Sequence, residues 1–338
     1  MKINNRRYIG CKTKLLDFIY KTVSDLGYGN NNSFADIFAG TGVVAYKFAE
    51  NGYKTIINDN LYSNYVIYKA LFGKSPIRID LMKSEIDMLN KLDSSSLDNN
   101  YFSNVYGNKY YSVNDAKKIG HIRDYIEDNK NKYNEREYFY LISCLLYAID
   151  KTANTVGHFE SFLKRIPADR GVELELFSID ENLEETAIYN EDANQLVRHI
   201  SADIVYIDPP YNARQYVNFY HVLENVARWN KPVEFEGNSM KFKRDELKSG
   251  YCRTNTATKL FEDLIDHAKC KLIVVSYNNT YKAGSISSVN TISSDDIIRI
   301  LKKHGKVTVK EKDYNAFNAG KTDMDGHKEL LYICEVNV

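Results

Sequence analysis

Residues 203–211 read DIVYIDPPY: Asp203, Ile204, Val205, Tyr206 and Ile207, then Asp208, Pro209, Pro210 and Tyr211. A short apolar run rich in β-branched residues predicts a buried parallel strand, and the prolines end it. Only five prolines occur among 338 residues, so a pair at a strand exit is a placed feature. In open α/β sheets, ligands bind at the carboxyl ends of strands. Proline lacks an N–H but keeps its carbonyl, and Pro210 holds Pro209 extended, so the Pro209 carbonyl is presented rigidly. Together with the Asp208 carboxylate it offers two acceptors to one NH2 group. Tyr211 adds a flat ring on which a base can stack. The blander alternative is a rigid strand exit with a satisfied aspartate.

Upstream, Ser33–Gly42 reads SFADIFAGTG and is followed by a predicted helix at Val43–Glu50 and a strand at Lys54–Asn58 that ends in Asp59. Gly40 and Gly42 let the backbone approach a ligand at the first strand-to-helix turn, and Asp59 stands where an acid can accept both hydroxyls of a ribose. The third glycine of a dinucleotide fingerprint is missing. Downstream, strands are predicted at Asp203–Ile207 and Lys271–Ser276, with helices at Phe219–Arg228, Thr256–Ala268 and Ser294–His304. This alternation predicts a mostly parallel α/β sheet. Lys306–Lys312 and Glu329–Val336 read as a closing antiparallel pair, because the polar connection between them is too short for a helical crossover. Between the blocks the chain turns rich in Asn, Tyr and charge. It then predicts helices at Asn114–Asn129, with Asn114 as the N-cap, and at Glu135–Ala148.

Composition narrows the function classes. Acidic and basic residues number 45 each, so any attraction to nucleic acid must be local. Before Asp17 the chain carries Lys2, Arg6, Arg7, Lys12 and Lys14 without an acid. The amino end has no apolar core of a signal peptide, and Leu141–Ile149 is half the length of a membrane span, so a cytoplasmic protein with no membrane contact is expected. Five scattered cysteines without C-x-x-C spacing suit reduced thiols. His221 and Glu224 have a spacing that could suit a metal, but no second His or Cys joins them, so packing is expected and no metal is assigned.

Tyr8-Ile9-Gly10-Cys11-Lys12, the F-x-G-x-G turn and D-P-P-Y, in that order along nearly the full chain, resemble the Dam-like, alpha-class N6-adenine DNA methyltransferases. The resemblance implies a Rossmann-like class I methyltransferase sheet over residues 1–60 and 171–338, with an inserted, mainly helical target-recognition domain at 61–170 and a basic DNA-contacting loop at 230–256. It assigns Tyr8, Gly10, Lys12, Asp36, Phe38, Gly40, Thr41 and Gly42 to S-adenosylmethionine, Asp59 to its ribose and Asp192 to its adenine amino group. Asp208, Pro209, Pro210 and Tyr211 would hold the target adenine. Cys11 stands where the family usually has Gly, and Ile37 where it often has Pro. Ala153–Arg165 and Asn218–Trp229 resemble the branch that works beside a restriction endonuclease, so Lys164, Arg165, Lys241, Lys243, Arg244, Lys248 and Arg253 are the expected contacts to double-stranded DNA. A monomer is expected.

The implied chemistry is direct. The adenine amino group is a poor nucleophile, and in a duplex its hydrogens are paired, so the base must flip out at a cost of a few kcal/mol. Accepting both N–H bonds pulls the nitrogen toward a tetrahedral shape. The alternatives are an RNA or protein-glutamine methyltransferase, or a non-catalytic nucleic-acid-binding module. Protein-glutamine enzymes usually carry Asn where Asp208 stands, and a decayed module need not keep every polar group the reaction uses.

Overall fold

The β-branched runs pair side by side into one sheet. The computed structural model describes residues 6–280, 288–313 and 327–337. The described residues form two compact units, one within Ile9–Asn60, Asn182–Tyr216 and Glu246–Val338, the other within Met1–Tyr8, Leu61–Glu181 and Val217–Asp245. Strands are β1 Ser33–Asp36, β2 Lys54–Asn58, β3 Thr186–Tyr189, β4 Ile204–Ile207, β5 Leu272–Asn278, β6 Gly305–Asp313 and β7 Lys328–Val336. Helices are α1 Leu16–Ser24, α2 Val43–Glu50, α3 Tyr62–Phe72, α4 Ile79–Asn90, α5 Tyr101–Tyr106, α6 Val113–Asp128, α7 Glu135–Thr152, α8 Ala193–Leu196, α9 Tyr216–Arg228, α10 Ala257–His267 and α11 Ser294–Leu301.

The seven strands make the sheet of the first unit, in the order β3-β2-β1-β4-β5-β7-β6. β1 to β5 run parallel, and β7 is antiparallel to both β5 and β6. The sheet is thus mostly parallel with an antiparallel carboxyl-terminal edge, as expected. The β6–β7 connection lies outside the described residues. The chain runs outward from β1 to β3 and then returns to β4 on the other side of β1, so β1 and β4 form the topological switch point where α/β sheets bind ligands. β4 is buried along its whole length, which is why it reads as a continuous apolar run. On one face, Ala35, Ile37, Val205, Ile207, Ile273 and Val275 pack with Phe261, Leu264, Ile297 and Ile300 of α10 and α11. On the other, Phe34 of β1 stacks on Phe48 of α2, with ring centroids 3.6 Å apart. β3 has no counterpart in the sequence reading. It is four residues long and mostly unburied, too short to show a pattern.

The second unit is helical, and its helices are capped as sequence chemistry dictates. Asn134 and Glu137 form a capping box at α7, and Asn100 and Ser103 another at α5. The N-cap of α6 is Ser112, whose side chain accepts from the Asp115 N–H; the expected cap, Asn114, lies inside the first turn, because Ser112 meets the N3 amide from an extended conformation and starts the helix earlier. α3 lacks a side-chain cap from its own Leu61. Glu224 of α9 supplies one, accepting from the N–H groups of Tyr62 and Ser63 at 2.9 Å each. At the other end of α3, Arg136 Nε donates to the Ala70 carbonyl at 3.0 Å. Both charges match the helix dipole. This unit is wider than the expected 61–170 segment, taking in residues 217–245 as well. The reason is packing: Phe219, Val222, Leu223 and Val226 of α9 are buried, and Arg123, 1% exposed, donates to the Val226 carbonyl. No helix among the described residues is long and apolar enough to cross a membrane.

Candidate active site

Strand parity assembles the site. Ala35 and Ile37 face the α10 side, so Asp36 faces away from it, opposite Tyr206 in the β1–β4 register. Two residues beyond Tyr206, Asp208 continues that face. By the same alternation Ser276 of β5 and Glu329 of β7 point to the side away from Val275 and Leu330, which pack in or against the α10-side core. Being antiparallel, β7 brings its amino end to the carboxyl ends of the parallel strands, so Glu329 reaches the functional edge.

Lys12 enters this face from a short 3-10 turn, Lys12–Leu15. The turn follows Gly10, whose φ of +79° suits glycine, and a Cβ there would meet the Tyr216 hydroxyl at 3.1 Å. Cys11 has φ −55° and ψ 126°, an ordinary extended conformation, so the family's usual glycine is not needed at that position. Lys12 is 6% exposed. Its Nζ lies 3.0 Å from Asp208 Oδ1 and 3.4 Å from Glu329 Oε1, and it donates to the Tyr211 hydroxyl at 2.8 Å. Tyr211 Oη is 2.7 Å from Asp208 Oδ1 and 2.5 Å from Glu329 Oε1. Burial raises the Asp208 carboxyl to about 6; Lys12 opposes this and Glu329 adds to it. The Tyr211 ring, read from sequence as a flat surface for a base, lies at 50° to the Tyr277 ring with centroids 4.5 Å apart. The Lys12 ammonium lies 4.8 Å from its centroid. The Tyr211 carbonyl is pinned by the Tyr277 hydroxyl at 2.9 Å and the Thr291 N–H at 2.8 Å. Pro209 is buried beside it and Pro210 is half-buried.

Asp36 is 1% exposed, and neither of its oxygens has a hydrogen-bond partner among the described residues. Burial first, and Asp208 second, push its carboxyl well above the usual range, while the backbone of Ala45 and Phe38 pulls weakly the other way without reaching hydrogen-bond geometry. Among the described residues, three carboxyl groups, Asp36, Asp208 and Glu329, thus share this face with the Lys12 ammonium. Such an imbalance fits a cationic ligand. The glycine turn stands next to it: Gly40 has φ +54° and Gly42 φ +76°, and the Gly40 N–H donates to Asp59 Oδ2 at 2.8 Å. Thr41 Oγ1 lies 3.6 Å from Cys11 Sγ. Phe38 meets the Tyr251 ring edge-on at 5.1 Å. Asp192 caps α8, accepting from the Asn194 and Gln195 N–H groups through Oδ1, and Oδ2 takes no part in that cap. Tyr8 belongs to the helical unit, where its ring stacks on Tyr220 at 4.6 Å.

The sequence model of D12 class N6 adenine-specific DNA methyltransferases matches residues 8–281. The chain belongs to this family. It is 37% identical over 330 residues to modification methylase StsI of Streptococcus sanguinis, covering 93% of this chain and 49% of that protein. It is 32% identical over 343 residues to type II methyltransferase M.NlaIII of Neisseria lactamica, covering 97% and 98%. A third relative, type II methyltransferase M.FokI of Planomicrobium okeanokoites, is 33% identical over 315 residues, covering 88% of this chain and 47% of that protein. The chain therefore spans about half the length of the StsI and M.FokI proteins and nearly all of M.NlaIII.

In this D12 family member the basic residues singled out from sequence have different fates. Lys164, Arg165, Lys243 and Arg253 are exposed, and Lys241 and Lys248 are half-buried. Arg244 is not a surface cation: it is 6% exposed, and its guanidinium donates to Asn218 Oδ1 at 2.7 Å, Glu236 Oε2 at 2.9 Å and the Phe242 carbonyl. The expected 230–256 loop is divided between the two units after Asp245. At the amino end, the Arg7 guanidinium pairs with Asp150 and buried Arg6 with Asn64, both within the helical unit, while Lys2 lies outside the described residues. His221 Nε2 meets the Ser239 carbonyl at 2.9 Å, and among the described residues no group of three His, Cys, Asp or Glu side chains is placed to hold a metal. Sequence reasoning missed Glu329 and Ser276. An acid directly before the apolar run Leu330–Cys334 was the available signal.

Proposed function

We propose that this chain is a site-specific DNA methyltransferase that transfers a methyl group from S-adenosylmethionine to the exocyclic N6 amino group of an adenine flipped out of duplex DNA. The observation that carries this reading is Asp208, held 3.0 Å from a buried lysine at the carboxyl end of β4, on the face where Asp36 lies buried without a partner. When bound, S-adenosylmethionine supplies an electrophilic methyl group on a cationic sulfur. Asp36 fits the cofactor's positive charge, Asp59 its ribose and Asp192, through the oxygen outside the α8 cap, its adenine amino group. Gly40, Thr41 and Gly42 line the turn, Phe38 packs beside it, Gly10 and Lys12 close the site from the amino end, and Tyr8 is assigned to the cofactor by the family motif.

Asp208 and the Pro209 carbonyl accept the two N–H bonds of the target amino group and draw its lone pair out of the ring. As positive charge grows on that nitrogen, the buried carboxylate stabilises it more than it stabilised the neutral amine, which lowers the barrier. Tyr211 takes the base against its ring, worth ~1–3 kcal/mol toward the flipping cost. Pro210 keeps the strand exit rigid.

DNA is held by Lys164, Arg165, Lys241, Lys243, Lys248 and Arg253. Asn154, 1% exposed, braces the first pair by donating to the Leu163 and Arg165 carbonyls at 3.0 and 3.4 Å. Ile166, 87% exposed directly after them, fits the apolar wedge that nucleic-acid-bending proteins insert between bases. The helical unit and the ribbon Phe235–Glu236 with Lys241–Phe242 form the target-recognition part, and the sheet unit the catalytic part. Pairing with a restriction endonuclease, a prokaryotic cytoplasmic setting and a monomeric state belong to the same proposal; the relatives' names, modification methylase and type II methyltransferase, support the first of these. The test is transfer of tritiated methyl to duplex DNA, with RNA and protein acceptors run beside it. Asp208→Ala should abolish transfer, a loss of about a thousandfold, while S-adenosylmethionine binding survives. Transfer retained in that variant, or directed to RNA or protein by the native chain, overturns the reading.

A further inference from the structure

Asp208 is in an awkward position for an acceptor, because a lysine and a phenol both point at its Oδ1. The more fully both donate to it, the less of its negative charge is left to polarise another N–H group. Both donors also lie within reach of a second acid, Glu329. It is 2% exposed, it lies beyond the 8–281 segment matched by the family, and its Oε1 accepts from the Ser276 hydroxyl at 2.6 Å. The Tyr211 hydroxyl has one proton and two carboxylate neighbours, and the Glu329 oxygen is the nearer, at 2.5 Å against 2.7 Å for Asp208. Glu329 also shares the Lys12 ammonium, at 3.4 Å.

We propose that Glu329 is a positioning residue for methyl transfer: anchored by Ser276, it draws off the Tyr211 proton and part of the Lys12 charge, so that Asp208 keeps its acceptor strength for the amino group of the target base. The inference rests on the methyltransferase reading above. The charged and titratable groups facing Asp208 are Lys12, Asp36 of β1, Tyr206 of β4, Tyr211, Tyr216 of α9 and Glu329 of β7. Of these, Glu329 is the acid whose removal hands Lys12 wholly to Asp208.

Glu329→Gln keeps the shape and removes the charge. Methyl transfer to duplex DNA, measured against pH, should show two effects together. The kcat falls about tenfold to a hundredfold, the range seen when a residue that orients a reacting group is lost, with KM for DNA and for S-adenosylmethionine unchanged within about twofold. The acid limb of kcat moves down by about one pH unit, because one of the charges opposing Asp208 ionisation is gone. A merely structural role lowers the rate without moving the limb. Glu329→Asp, which keeps the charge, returns the limb toward its native position. An unmoved limb or a native kcat in Glu329→Gln overturns the inference. Should that variant fail to fold, Ser276→Ala decides: it removes the anchor without changing charge, and kcat must fall with KM held. A native kcat there overturns the inference equally. Absence of transfer by the native chain sinks the methyltransferase reading instead.

Discussion

Asp36 and Asp208 face each other's charge across the β1–β4 edge, and each is raised by burial. A carboxyl raised toward 6 is ionised at neutral pH and protonated below that point, so kcat should lose its acceptor as pH falls through about 6. A pH–rate profile with its acid limb near the ordinary carboxylate range would contradict this. Asp36 makes a second prediction. Because its carboxyl sits well above the usual range without a partner, binding a cation must ionise it, and S-adenosylmethionine binding should release protons. Calorimetry in buffers of different ionisation enthalpy measures that release. In Asp36→Asn the release should shrink and affinity fall about tenfold to a hundredfold, the worth of one charged hydrogen bond. Unchanged affinity in Asp36→Asn removes Asp36 from the site.

Secondary-structure elements here are steadied by their ends. Glu137 closes the capping box of α7 and bonds Arg78 through Nε at 2.8 Å and Nη2 at 2.6 Å, which holds its carboxyl down at about 2. A depressed acid adds stability in full above its unfolded value near 4.3 and loses it as pH falls toward the folded value. Urea unfolding of the native chain and Glu137→Gln should therefore differ at pH 7 and converge by about pH 2. A gap that persists at pH 2 would show that shape, not charge, is at stake. α3 is held at its amino end by Glu224, and Glu224→Ala leaves two N–H groups and Arg228 without their carboxylate. The expected loss is about 3 kcal/mol, read from the denaturation midpoint. These caps separate into two kinds. Asn134 and Ser112 act within three residues and follow local rules, whereas Glu224 reaches α3 from 162 positions away.

Across the whole molecule, the question is which positive charges serve DNA. Each phosphate contact contributes roughly one unit to the dependence of log affinity on log salt. Replacing Lys164 and Arg165 together by Ala should lower that slope by about two. Arg244→Ala should leave the slope alone and destabilise the helical unit instead, since the guanidinium is buried on Asn218 and Glu236. Equal slopes for the native chain and the double variant would remove Lys164 and Arg165 from the interface. Arg244 looks like its neighbours in sequence because a basic residue in a polar loop carries no local mark of burial. What the sequence alone determined was what depends on near neighbours along the chain. The apolar run of β4 before its prolines, the glycines that accept positive φ at 40 and 42, and the side-chain caps at 112 and 134 are all of that kind, though the reading placed the first of those caps two residues late. Only the tertiary structure decided the rest. Glu329 meets Tyr211 from 118 residues away because β7 runs antiparallel, and Tyr211 packs on Tyr277 because β5 lies beside β4. Those contacts depend on which distant strands lie side by side and in what register, and the local pattern, though it gave the direction of β6 and β7, did not place β7 beside β5.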